Sequence, residues 1–90
     1  MAVNPEVLND PLVASLAQAL SVANKAAAAA GWKASECTIH TEQAVADDGT
    51  QIWRVDYAPH DPPGVFRRGG DFIVEVNADD GTIYRTLLGQ

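Results

Sequence analysis

The sequence predicts an α+β domain in two layers, one N-terminal helix packed on a four-stranded antiparallel meander sheet. Three observations predict it. Residues 11–30 carry an apolar stripe at helical spacing, opened by Asp10-Pro11 and closed by Gly31. Segments after residue 36 alternate with a period of two. Two turns between those segments share one chemistry, Asp47-Asp48-Gly49-Thr50 and Asp79-Asp80-Gly81-Thr82.

The helix comes first. Asp10 can cap the unpaired N–H groups of the first turn, and Pro11 tolerates the first helical position. Gly31 suits the C′ position that ends a helix. Leu12, Leu16, Leu20, Ala23, Ala27 and Ala30 fall on one stripe, with Val13 and Ala19 at its edges. Ser15, Gln18, Ser21 and Lys25 fall opposite. The stripe tapers from leucine to alanine, so the C-terminal end is expected to approach its partner more closely.

The first strand is weak and expected at 37–45, where neither face is strongly apolar, so it reads as an edge. The second, 51–58, places Trp53, Val55 and Tyr57 on a core face and Ile52, Arg54 and Asp56 opposite. The segment 69–89 reads as strand, turn, strand. Phe72, Val74 and Val76 form its core face, and Asn77 to Gly81 can build a loop of four or five residues on a type I turn. The last strand is ambiguous in facing. The reading adopted sets Ile83 beside Val76 on the core side, with a bulge near Arg85. Between the hairpins lies 58–70, APHDPPGVFRRGG, whose three prolines and three glycines exclude regular structure from most of it.

Ninety residues make one domain, with 1–9 as an arm, 10–31 as the helix and 35–90 as the sheet. Hydrophobic residues are 47% of the chain, too many for a disordered one. The formal charge is −6, which argues against nucleic acid as a partner and suits a soluble surface or a basic protein partner. Residues 1–10 lack a basic and apolar leader, and no run of about 18 apolar residues is read as a membrane span. The expectation is a cytoplasmic chain with no membrane partner.

Candidate chemistry is sparse. Cys37 is the single cysteine, so neither an internal disulfide nor a zinc site built on cysteines is expected. Cys37 and His40 differ by an odd number on a strand and should face opposite sides, which separates a thiol from its base. His40, His60 and Asp61 lack metal-ligand spacing, and the paired aspartates lack a calcium-loop pattern. No cofactor and no metal are expected. Arg67 and Arg68 stand out as two of only six basic residues, adjacent and inside the long loop. An arginine can grip a carboxylate or phosphate with two parallel hydrogen bonds. Phe66 and His60 share that loop, and an exposed Phe66 would anchor an interface. Phe66, Arg67, Arg68 and His60 are therefore the candidate binding residues.

Trp53-x-Val55, then Gly69-Gly70 before an alternating strand, then Asp80-Gly81-x-Ile83 and Gly89-Gln90 resemble the short NTF2-fold immunity proteins, which are small bacterial domains. The same plan is similar to PepSY-type modules on a cystatin-like scaffold. The resemblance covers about 14–90. It implies cystatin/NTF2-like topology and binding to a protein such as a toxin or a peptidase, with no catalysis. A full NTF2-like cone closes its pocket with additional helices, and this chain has one alanine-rich helix. The expected function is thus a non-enzymatic protein-interaction module, immunity-like or inhibitor-like, with a second copy of the chain as a further candidate partner. The alternative is a small-ligand binder or minimal enzyme with a pocket between helix and sheet. A cavity lined by Trp53, Tyr57 and a polar group would favour it.

Overall fold

The computed structural model describes residues 10–60 and 70–88. Its elements are α1 (Pro11–Ala29), a single 3-10 turn (Ala34–Glu36), and strands β1 (Cys37–Val45), β2 (Gln51–Pro59), β3 (Phe72–Asn77) and β4 (Ile83–Leu88). The strands form one antiparallel sheet in the order β1-β2-β3-β4. The helix packs on one face of it, which makes the α+β two-layer meander expected from the sequence. The sheet starts at Cys37 rather than 35, because the 3-10 turn occupies the approach.

Both helix ends are closed by the groups the sequence offers. The Asp10 carboxylate accepts from the N–H of Leu12 at 2.8 Å and of Val13 at 3.3 Å. At the other end Gly31 takes φ +90°, which costs glycine little. That turn lets the Trp32 N–H reach the Ala27 carbonyl and the Gly31 N–H reach the Ala28 carbonyl, so two otherwise orphaned acceptors are satisfied. The turn also aims Trp32 back at the core, where its ring stacks on Phe72 with centroids 5.8 Å apart.

The buried line of the helix is Ala19, Ala23 and Ala27, spaced four apart. It lies against Trp53, Val55 and Tyr57 of β2 and Phe72, Val74 and Val76 of β3, the six residues expected on the core face. The expected stripe needs rotating. Ala19 is central, Leu12 and Ala30 are exposed, and Leu16 and Leu20 flank the seam. Ser15 continues the inward line instead of facing water. Its hydroxyl donates to the Ala78 carbonyl at 2.9 Å and accepts from the Trp53 indole at 2.8 Å. Large residues lost the centre because only a methyl group lets the helix backbone lie flat on the valines beneath.

By length and composition α1 would also suffice to cross a membrane, which corrects the expectation that no such segment exists. In this fold its alanine seam is taken up by the sheet.

The two hairpin turns are cousins rather than copies. In both, an aspartate accepts from the N–H two residues on, Asp48 from Thr50 and Asp80 from Thr82, each at 2.9 Å. In both, the glycine adopts positive φ. The β1–β2 turn closes between Ala46 and Thr50, whereas the β3–β4 turn closes between Asn77 and Thr82, one residue longer. The Asn77 side chain accepts from the Asp79 and Asp80 N–H groups inside the longer turn.

The bulge settles β4. Val76 pairs with Ile83 but Glu75 pairs with Arg85, so Tyr84 is the extra residue. Ile83, Thr86 and Leu88 therefore share the helix side with Val76, Val74 and Phe72. Arg85 and Leu87 share the open side with Glu75 and Ile73. Without the extra residue, Ile83 and Arg85 would point the same way.

The seam generates a stability prediction. Ala23→Leu should cost roughly 1–3 kcal/mol by overpacking. The same change at exposed Ala29 should stay within about 0.5 kcal/mol. Urea unfolding followed by circular dichroism distinguishes them, and equal effects would contradict a flush contact.

Candidate functional site

The expected binding residues fall into two groups. Phe66, Arg67 and Arg68 lie outside the described residues. His60 is described and directly follows β2, which runs one residue past the expected 58, to Pro59. Its N–H donates to the Glu36 carbonyl at 3.4 Å, and its Nε2 lies 2.8 Å from the Thr38 hydroxyl. The segment 61–69 thus joins the sheet at one end, where Tyr57 pairs with Phe72 and Phe72 with Leu88.

The helix is narrower than the sheet. It covers β2 and β3 and leaves most helix-side residues of both edge strands exposed, with Cys37 half-buried against the core. Val45 is 69% exposed, Ile39 38%, Ile83 47% and Leu88 69%. On β4, Ile83 lies beside Val76 at the turn end and Leu88 beside Phe72 at the other, with Thr86 between them and Phe72 three residues past 69. On β1, Ile39 and Val45 share the helix side with Thr41 and Gln43 between them. Sequence alternation allows Ile83 on the helix side, but it takes the bulge to bring Leu88 to the same side. Alternation does not give the width of the helix footprint.

The open face of the sheet is polar and ordered. Glu42, Arg54, Glu75 and Arg85 stand in register across all four strands. Arg54 donates to Glu75 through Nε at 3.0 Å and Nη2 at 2.8 Å, and reaches Glu42 at 3.3 Å. Arg85 donates to the second Glu75 oxygen. Glu75 is fully buried under the two guanidinium groups. Burial pushes its carboxyl up, but hydrogen bonds from Arg85 and Arg54 outweigh that and hold it below the ordinary carboxylate value. This ladder was not anticipated, though four charges in mutual register are readable once the pairing is known.

One row further along, Asp56 faces the opposite balance. Burial, then the neighbouring Asp71 carboxyl, push its pKa up, with His40 and Arg54 offsetting part of the rise. One Asp56 oxygen is buried with no hydrogen-bond partner among the described residues. His40, Thr41, Glu42, Arg54 and Asp56 line a shallow groove of about 280 Å³ there.

Among the described residues, Cys37 and His40 do not converge. Register puts Cys37 on the helix side and His40 on the open side, as expected. Burial and then the Glu36 charge push the Cys37 thiol up, away from a reactive thiolate. Among the described residues no three His, Cys, Asp or Glu side chains are grouped to hold a metal ion. A second groove, of about 490 Å³, opens between the N-terminal end of α1 and the sheet. Trp53, Ser15, Gln18, Gln43 and Gln51 are among its walls. Tyr57 is not part of it. Its hydroxyl donates to Asn24 on the helix, and burial raises its pKa to about 12. Comparison of the chain with protein-family models, curated proteins and solved structures gives no match in any of the three.

The two carboxylates should respond oppositely to pH. The lowered pKa of Glu75 contributes stability above its unfolded value, about 4.3, and that stability is lost as pH falls through the folded value. Glu75→Gln should therefore cost roughly 1–2 kcal/mol at pH 7, a figure reduced because both arginines are partly in water, and should shrink the loss on acidification. The raised pKa of Asp56 contributes stability only below about 3.9, lost as pH rises through its folded value. Asp56→Asn should therefore be stabilising at pH 7 and neutral near pH 3.5. Thermal melts of both variants from pH 3 to 8 check the opposite signs.

Proposed function

We propose that the chain is a non-enzymatic protein-interaction module, binding in the manner of an immunity or inhibitor domain on a cystatin/NTF2-like scaffold. One observation carries this reading, the exposed apolar residues Ile83 and Leu88 on the helix side of β4, of which Leu88 lies at the end of the sheet that adjoins 61–69. Exposed apolar side chains are the composition of a protein interface centre. The net charge of −6 favours a partner with a basic surface. The raised thiol pKa of Cys37 and its separation from His40 weigh on the same side.

The Trp53 groove favours a second reading, a small-ligand binder. Its glutamine and serine walls would suit a neutral polar molecule. A Trp32→Phe background leaves Trp53 as the one indole reporter. Saturable fluorescence change with a small polar ligand, lost on Gln43→Ala, would favour this reading over the first.

The primary reading is tested by cross-linking capture from the native host and reconstitution with the purified protein recovered. Ile83→Asp with Leu88→Asp, and separately Arg67→Glu with Arg68→Glu, should each weaken the reconstituted complex tenfold or more. A partner bound equally by both variants would overturn the assignment of this surface.

A further inference from the structure

Among the described residues β1 is the unguarded edge of the sheet. It pairs with β2 along all nine of its residues without a register shift. It contains no proline, no lysine and no bulge, the devices by which edge strands usually refuse a neighbour. The other edge, β4, is six residues long and carries the Tyr84 bulge.

The hydrogen-bond phase of β1 is readable. The Ala46 N–H donates to Thr50 and the His60 N–H to Glu36, so the even-numbered residues of β1 bond to β2. In an antiparallel ladder the alternate residues then turn their N–H and C=O groups outward. On β1 those are Cys37, Ile39, Thr41, Gln43 and Val45.

We infer that β1 pairs antiparallel with β1 of a second copy of this chain, with Thr41 on the two-fold axis. This register uses the whole strand, matching Cys37 with the partner's Val45 and Ile39 with the partner's Gln43. Every outward N–H and C=O group then finds a mate. The same register sets His40 opposite the partner's Glu42 on the open face, twice. An imidazole donor meets a carboxylate at the closer, non-hydrogen-bonded type of pair. The neighbouring registers lose this match. With His40 on the axis the two histidines face each other, and with Glu42 on the axis two carboxylates do. The register of greatest overlap is thus the one that sets a hydrogen-bond donor opposite an acceptor.

The helices leave room. A two-fold axis perpendicular to the sheet keeps both on one face. Each sits over β2 and β3, so their axes lie about four strand spacings apart, roughly 19 Å, against a helix diameter of about 10–12 Å. The trough between them receives Ile39 and Val45 of both copies, the exposed apolar residues on this flank. The inference goes beyond the proposed function and does not depend on it, since Ile83 and Leu88 of β4 lie at the far edge.

Sedimentation velocity of the full chain from 1 to 500 µM tests it. The expected result is a reversible monomer–dimer equilibrium with a dissociation constant on the order of ten to a hundred micromolar, as suits a small interface. Thr41→Pro removes an outward N–H without breaking a β1–β2 bond and should weaken it at least tenfold. His40→Glu, which sets like charges opposite, should do the same. In a Cys37→Ser background, Thr41→Cys should form a disulfide dimer under mild oxidation. Ile39→Cys and Gln43→Cys should not, because each would lie about 14 Å along the strand from its own copy. A wild-type monomer at every concentration overturns the inference. So does a dimer indifferent to Thr41→Pro, or one that cross-links faster at 39 or 43. The cross-linking series stands alone if the proline variant fails to fold, and partner capture through β4 is a separate readout.

Discussion

Three alanine methyl groups set the distance between helix and sheet, and most of the molecule follows from that distance. Ala19, Ala23 and Ala27 are essentially inaccessible to water. A helix whose inner line is alanine can sink onto Val55, Val74 and Val76 without side chains propping it away. A helix that sinks covers a narrow band, here two strands of the four. Leu16 and Leu20 then lie along the flanks of the contact, and the edge strands keep most of their helix-side residues in water. The large aromatic volume collects at the C-terminal end of the helix, where Trp32, Phe72 and Tyr57 pack together. At the N-terminal end there is no such filling, and the groove beside Trp53 opens there.

The other face of the sheet is organised by charge. Glu75 occupies a central-strand position where an apolar residue would ordinarily sit. It is tolerated because two arginines from adjacent strands occupy both of its oxygens. The Tyr84 bulge makes this arrangement available. One extra residue turns Arg85 to the open face while Ile83 stays over Val76. The same residue sends a phenol toward Asp48 in the opposite hairpin turn, where it helps hold the Asp48 carboxyl below its usual value after the larger contribution of Thr50. The bulge therefore orients a charge and roughens one edge of the sheet. The remaining edge is left regular.

Much of this fold was legible in the chain. Period-two alternation identified the six core residues of β2 and β3, and Asp10, Pro11 and Gly31 bracketed the helix. Alternation also separated Cys37 from His40. What escaped depended on relations between distant segments. Leucines outrank alanines on any hydrophobic scale, so the expected stripe took in Leu12, Leu16 and Leu20 with Ala23 and Ala27 and left Ala19 at its edge. Only the flatness of the valine surface beneath reveals that small residues belong at the centre. Ser15 read as a solvent residue because its partners, Trp53 and Ala78, are remote in sequence. The ladder through Glu75 needed the strand register, which local pattern does not supply. His60 looked like loop because proline and glycine follow it, yet its backbone still pairs with Glu36. The candidate residues Phe66, Arg67 and Arg68 lie in a segment whose composition specifies no local conformation.

A narrow helix over a sheet with one unguarded edge makes a specific claim about backbone amides. Hydrogen exchange resolved by residue reads it directly. In dilute protein the amides of Val55 and Val74 should exchange only through global unfolding, while the outward amides of Ile39, Thr41 and Gln43 exchange nearly as fast as free peptide. Raising the concentration should slow the three β1 amides selectively and leave the outward amides of β4 unchanged. Protection of Ile39, Thr41 and Gln43 in the dilute protein, or exchange there that ignores concentration, would contradict the account.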